Sequence, residues 1–538
     1  MNSFFRLILM MGALAAYPLA SFAQESREEM TVEPIPALVA AWVAGEQTIA
    51  PAFAIRVPAA VSRSPDDMDA SVGLTAPFQG LLPPFRPTTT MAEYLAAKSA
   101  PLLQGPGTGR QEPESLAPLA PPTLKFSFEG VNQQTAGGSF PPDTHGATGP
   151  RHFFEITNQH VDIYLKALPN IRVRSTSLAS FFGYFTRPLF DPRAVYDRTW
   201  NRWVITAEAF PESASVQRYF IAISKTDDPL GAYFIYNTNA TQIAGVNNFF
   251  DFPQLGMDQD AVIVTANVFG PTNAFLGPRM VAIAKARLYN GLGFFVPVFS
   301  LASSFGTLAP PLVLDQNAKT FLISARPNAN TLQLFTLLNS SNGFGATLTG
   351  PANVPVAAYT MPPAAVQCGG AGGGARLDTG DSRFVTAGTQ NGAFLWQVHS
   401  IDFFGAAVRW YKIDTSTNAV AQTKTHFQSG ISSDSNASIA ANDGGDIYLN
   451  WSSTSRTVCP QVVFTGDKAG VLPPTAGTVL AGSPTALTGN FDPNFGLQRF
   501  GDYSAVTVDP SNSLRACLVN EKVNAANVWG SRIGCVGF

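Results

Sequence analysis

Residues 193–209 read RAVYDRTWNRWVITAEA. A short strand-like run (RAVY) meets a polar turn at Asp197–Asn201, and a longer apolar run (WVITAEA) follows. Two runs of this kind about a turn rich in Asp and Asn make an antiparallel hairpin. The same order recurs at 145–158 (HGATGPRHFFEITN), 254–268 (QLGMDQDAVIVTANV), 312–325 (LVLDQNAKTFLISA), 375–388 (ARLDTGDSRFVTAG), 438–452 (SIAANDGGDIYLNWS) and 505–519 (AVTVDPSNSLRACLV). The turns fall at Gly149, Asp197, Asp258, Asp315, Asp378, Asn442 and Asp509. Further strands follow most copies, as in YFIAISK with GAYFIYN, RMVAIAKARL, TLQLFTLL and VRWYKIDT.

Four antiparallel strands per unit, repeated seven times, predict a seven-bladed β-propeller over residues 123–538. One such sheet cannot cover both of its faces, whereas a ring buries each face against a neighbour and leaves no long edge exposed. The last copy runs out of chain after SRIGCVGF, one strand short. The run TLKFSFEG at 123–130 has no unit of its own and is expected to supply that outer strand. An outer-membrane barrel is the rival fold, but its strands of about 9–11 residues would be longer and more uniform than these.

Ahead of the repeats, residues 1–24 read MNSFFRLILMMGALAAYPLASFAQ, with Arg6 before an apolar run and Ser21-Phe22-Ala23 at its end. This is the pattern of a secretory signal peptide over 1–23, and it implies a periplasmic or extracellular destination. Residues 24–122 carry 15 prolines and little strand alternation, which predicts an extended or disordered arm. Two short helices are expected in it, PALVAAWVAGEQ and TMAEYLAAK, the second with Thr90 and Glu93 at capping-box spacing.

Charged residues are only 13% of the chain and the net charge is −3. That balance gives no support for a nucleic-acid partner, and no later apolar run reaches the ~18 residues of a membrane span. The four cysteines lack CxxC spacing, so a thiolate zinc site is not expected. Folding the LRACLVNE and SRIGCVGF runs about Ala526 sets Cys517 opposite Cys535, which predicts a disulfide. Cys368 and Cys459 are the pair left over.

Five copies enter their first strand with an aspartate: Asp143, Asp191, Asp251, Asp434 and Asp502. Such a residue either caps its own turn or contributes to a ring of carboxylates at one mouth of the channel. An oxygen-only ring in an exported protein would suit Ca2+. Of the histidines clustered at 145–160, His152 and His160 straddle the first strand pair, and His145 alone stands beside the rim. No GxSxG, HExxH or phosphate-binding glycine loop occurs, and the GGAGGGARL run at 369–377 precedes a strand-like run rather than a helix. Two functions follow as expectations. One is a binding or scaffold protein engaging a protein, glycan or small ligand on its channel face. The other is a cation-dependent hydrolase of lactonase or glycosidase kind, with the aspartates holding the metal and His145 as general base.

The turns DRTWNRW, DQNAKTF and DTGDSRF loosely resemble the Asp-box turns of sialidase-like propellers, without the full S-x-D-x-G-x-x-W pattern. Arg193, Arg376, Arg383, Tyr503 and Glu521 are of the types a sialidase site uses, with nothing in the sequence to bring them together. The motifs PPDTHGATGPRHFFEITN, FDPRAVYDRTWNRWVITA, LDTGDSRF, AVRWYKID, NASIAANDGGDIYLNWSSTS and RFGDYSAVTVDP followed by NE and WGSRIG, in this order, resemble a family of secreted bacterial β-propeller proteins over about residues 123–538. The resemblance implies a propeller on an exported protein and carries no catalytic residues with it.

Overall fold

The computed structural model describes residues 47–69, 78–83, 85–100, 121–369 and 376–538. The expected signal peptide and most of the first expected helix of the arm lie outside them. The described residues are dominated by strands paired mainly antiparallel, grouped in chain order by the sequence units they follow, with the third and fifth groups joined in one ten-stranded sheet. The second shows how the opening stretch folds: Leu189–Asp197 pairs with Arg202–Ala209, followed by Arg218–Ser224 and Tyr233–Asn239. Alternation along Arg202–Ala209 sends Val204 to one neighbouring sheet and Trp203 and Ile205 to the other.

In the fourth copy Lys319–Ser324 pairs with Leu308–Ala309 rather than with Leu312–Val313. All but one of the other hairpins turn where the sequence places them. The fifth does not. Its strands are Thr389–Asn391 and Phe394–Asp402, joined through Gly392 at φ 58°. Asp378 lies upstream of that sheet, in a loop held by ion pairs described below. An Asn-Gly turn is a stronger hairpin signal than the Asp-rich one that resembled the other copies.

The fourth sheet enters as two short pieces, Leu308–Ala309 and Leu312–Val313, because Pro310 and Pro311 have no N–H to give to a ladder. The second piece instead runs parallel to its neighbours, Leu312 facing Met257 on one side and Thr389 on the other. Gly256 is needed there, since a Cβ would overlap the backbone of Pro311.

Apolar clusters fill the space between successive sheets, such as Val195 and Ile221 against Leu255 and Val264, or Val398 and Trp410 against Leu449 and Trp451. The seventh sheet meets the first in the same way, Val519 and Ile533 packing with Phe153 and Tyr164. Thr148 N–H also donates to Thr507 Oγ1 at 2.9 Å, and Lys166 pairs with Asp509 at 2.7 Å. Thr123–Asn132 pairs antiparallel with Val528–Gly537, so the early run does supply the last sheet's outer strand.

Both disulfides are formed. Cys517 and Cys535 stand directly opposite in the last hairpin, and Cys368 bonds Cys459. They fit an oxidising compartment. No helix among the described residues is long and apolar enough to cross a membrane.

The described parts of the arm are extended and docked. Gln47–Ile49, Phe53–Val57 and Val61–Arg63 add a fifth strand to the fourth, third and second sheets. Each covers an outer edge that would otherwise present unpaired backbone, and Ile55 and Val57 are buried in doing so. The second expected helix is present as Met91–Ser99. Thr90 Oγ1 accepts from Glu93 N–H, and the Glu93 carboxylate accepts from Thr90 N–H.

Candidate functional site

Five of the inner strands are bent near their start by a residue with positive φ, close to the rim aspartates. The residue with positive φ is Asp143, Asp191, Phe252, Asn436 and Gly501 in the first, second, third, sixth and seventh sheets. Relative to it, Asp251 lies one position before, Asp502 one after and Asp434 two before. Asp143, Asp191, Asp251 and Asp502 line one small cavity together. Asp434 does not join them. It accepts from Ser432 Oγ, Gln428 N–H and Trp451 Nε1 and caps its own turn.

Asp143, Asp191 and Asp251 are buried, Asp502 is partly so, and further charge surrounds all four. Asp143 accepts from Asn158 Nδ2 at 2.7 Å and from the backbone N–H of Asp502 at 2.8 Å. Asp191 accepts from the Tyr503 hydroxyl at 2.7 Å. Asp251 lies 3.6 Å from Arg86 of the arm. Glu208, opposite Phe190 on the second strand of sheet two, brings one carboxylate oxygen into a group with Asp191 and Asp251. Oxygens of these three lie within 4.8 Å of one another. Glu208 Oε2 accepts from Gln217, while Oε1 meets no donor among the described residues. Glu521 is equally buried, with no donor to either oxygen. Gly501 lies against it, and a Cβ there would overlap the Glu521 carboxylate.

Such crowding makes ionisation unfavourable. Burial, then the charge of Asp502, pushes the Asp143 carboxyl up to about 7 against the pull of Arg499. Burial followed by neighbouring carboxylates holds Asp191 and Glu208 well above the usual range, and Glu521 as well. Asp251 is raised by burial although Arg86 and Arg383 oppose it.

A second layer joins these acids to arginines and the arm. Arg499 bonds Asp378 at 3.1 Å and Asp502 at 2.6 Å. Asp378 also takes the Tyr94 hydroxyl and lies 3.8 Å from Lys98, both on the arm helix. Burial pushes Asp378 up, but Lys98 and Arg499 outweigh it and hold the carboxyl below its ordinary range. Burial in turn lowers Lys98 to about 8. Arg383 bonds Asp381 and the Arg86 carbonyl. Arg193 lies 3.5 Å over the Tyr503 ring and donates to the carbonyls of Pro253 and Val385. Arg193, Arg383, Tyr503 and Glu521 therefore do gather around this mouth, whereas Arg376 donates elsewhere, to Ala364.

Leu82, Pro83, Phe85 and Arg86 complete the wall of the acidic cavity, which encloses about 10 Å3, the space of one water or one bare ion. His145 is not part of it. It lines a different cavity with Val195, Met257 and Val506, and its Nδ1 accepts from Ala194 N–H at 3.3 Å. The pairing of His145 with the carboxylates expected for a general base is not what the fold produces. His152 and His160 also stand apart, the latter bonded to Asp162 and Ser175.

Glu208 and Glu521 are the members that rim positions did not reveal. Each is an acid inside an apolar strand, WVITAEA and ACLVNEKV, and a buried carboxyl must be paired, protonated or bound to a cation.

No family model matches the chain, and no curated protein matches it in sequence. Among solved structures it is similar to an alpha-L-arabinanase of Penicillium chrysogenum, at 14% identity over 66% of this chain and 100% of that one, with TM-score 0.35. The subtype N10 neuraminidase-like protein of A/little yellow-shouldered bat/Guatemala is similar at 10% identity over 65% and 100%, with TM-score 0.35. A protein of unknown function from Dyadobacter fermentans is similar at 8% identity over 66% and 96%, with TM-score 0.37. What the mouth can do is therefore read from its own residues.

Proposed function

We propose that the chain is an exported seven-bladed β-propeller that works as a binding or scaffold protein, with a Ca2+-class cation fixed at one mouth of its channel. Support for the ring comes from the unbroken series of inter-sheet clusters and from the seventh sheet packing on the first. The observation that carries the cation is the trio Asp191, Glu208 and Asp251. Three oxygens no more than 4.8 Å apart can share one ion at the 2.3–2.6 Å typical of calcium. Neutralisation by an ion would also relieve the repulsion that otherwise keeps these carboxyls protonated. Hydrolysis at this mouth is not favoured, because the cavity has no room for a substrate while the arm covers it.

Thermal unfolding with Ca2+ and with EDTA tests the cation. At 100 times Kd the ion adds roughly 2.7 kcal/mol to the folded state, a shift of several degrees. An Asp251→Asn/Glu208→Gln double mutant should not respond. A wild type indifferent to calcium between pH 7 and 8 overturns the site.

The pH dependence has a definite sign. A carboxyl whose folded pKa is raised keeps a proton that the unfolded chain releases. In EDTA its contribution is therefore favourable below about pH 4 and is lost as pH rises through the raised value. Glu208→Gln mimics the protonated acid. It should melt a few degrees above the EDTA-treated wild type at pH 8, match it at pH 4, and lose the calcium shift. Equal melting at both pH values would show that Glu208 holds no such proton.

A further inference from the structure

The cavity that His145 lines is walled by aliphatic side chains drawn from several inner strands, among them Val195, Leu255, Met257, Val313, Ile439 and Val506. Its volume is about 90 Å3, and it opens at a mouth where charged residues stand. Those charges are already spent on one another. Asp197 pairs with Lys285 at 2.7 Å and accepts from Tyr289 and from the backbone of Thr199 and Trp200. Asp258 accepts from Thr320 and from the backbone of Asp260 and Ala261. Arg198 pairs with Asp443 and donates to the Leu314 carbonyl. Two wall hydroxyls also accept backbone N–H groups: Thr507 from Thr148, and Thr389 from Ala441 at 3.2 Å.

His145 is the exception. It is 6% exposed, and Nδ1 accepts from Ala194, so the ring proton sits on Nε2. No acceptor among the described residues takes that proton. Burial, and then the nearby Arg193 guanidinium, hold its pKa well below the usual value, so the ring is neutral. The cavity thus offers apolar surface, no free charge, a neutral imidazole donor and the Thr389 and Thr507 hydroxyls.

We infer that this cavity binds a small uncharged molecule with an aliphatic body and one hydrogen-bond acceptor, seated on His145 Nε2. The inference rests on the binding-protein reading and gives it a ligand class. A sugar fits poorly, because each hydroxyl brought against aliphatic wall would lose its water without gaining a partner. A carboxylate fits poorly too, since it would be desolvated with no free cation to meet it.

The test is ligand-observed 19F NMR on the mature protein, with 5-fluoropentan-1-ol, 5-fluoropentanoate and 1-fluoropentane as probes. The alcohol should bind saturably, at least tenfold tighter than the carboxylate. Val508→Trp, which fills the cavity near the mouth, should weaken it tenfold or more. His145→Phe should weaken the alcohol about fivefold and leave 1-fluoropentane unchanged. No saturable binding of the alcohol, equal binding of the carboxylate, or binding untouched by Val508→Trp would each overturn the inference. The calcium shift, measured on the same samples, separates this site from the acidic mouth. If it persists while the alcohol fails to bind, only the ligand site is wrong. If it is absent while the alcohol binds as stated, the ligand site stands and the cation site falls.

Discussion

Deleting residues 123–132 is expected to abolish folding of the mature protein. Thr123–Asn132 is the outer strand of the last sheet, paired along Val528–Gly537. Its loss exposes that ladder and removes two buried side chains, Phe128 and Val131, together worth roughly 3–6 kcal/mol. It also strips Glu155 of a donor, because the backbone N–H of Val131 bonds that carboxylate at 3.0 Å. Burial already pushes the Glu155 carboxyl up to about 8, and a lost donor adds to the penalty. The sum approaches the whole 5–15 kcal/mol stability of an ordinary domain. Far-UV circular dichroism and limited proteolysis should find the deleted chain unfolded, and a peptide spanning 121–137 added in trans should restore protection. Phe128→Ala gives the graded form, about 3 kcal/mol lost in denaturant unfolding. A deleted chain that melts like the wild type would mean that the last sheet does not depend on this strand.

The second large effect belongs to Arg499. Its guanidinium bridges Asp378 and Asp502, with all three side chains at least nine-tenths buried. Arg499→Met removes the ion-pair partner of Asp502 beside Asp143, and leaves Asp378 with Lys98, Tyr94 and the Gly380 N–H. Removing one partner from a buried ion pair typically costs about 3–5 kcal/mol. The loss should be largest near pH 8 and smaller at pH 5, where Asp143 carries a proton. Hydrogen exchange should speed up across Met91–Ser99, whose Tyr94 and Lys98 are anchored on Asp378. The control is Arg532→Met. Its partner Glu129 is 52% exposed, so less than about 1 kcal/mol should be lost. If the two variants lose the same stability, the buried network is not what secures the arm.

Much of the chain was legible because its signals are local. A hairpin needs two strand-forming runs and a turn, and all three are written within about fifteen residues. The pairing of Cys517 with Cys535 followed from the symmetry of one hairpin, and the helix at Met91–Ser99 from its capping box. The fifth hairpin shows the limit of this reasoning. ARLDTGDSRF matches the recurring pattern, but its Asp378, Asp381 and Arg383 are engaged in ion pairs with Arg499, Lys98 and each other. Residue types alone do not distinguish an aspartate that turns a strand from one that neutralises a distant arginine.

By itself, then, the sequence determined five of the hairpins, both disulfides and the early strand that completes the last sheet. Only the tertiary structure decided which carboxylates share a site. Asp251 and Asp502, one residue before and one after their reversals, still reach the cavity, so alternation along a strand does not by itself decide membership. Asp434 sits two positions before its reversal and caps a turn, while Asp143 and Asp191 sit on theirs and meet at the mouth. Glu208 and Arg86 join from a second strand and from the arm, because long-range packing brings them there. His145, two residues from Asp143, lines the other cavity.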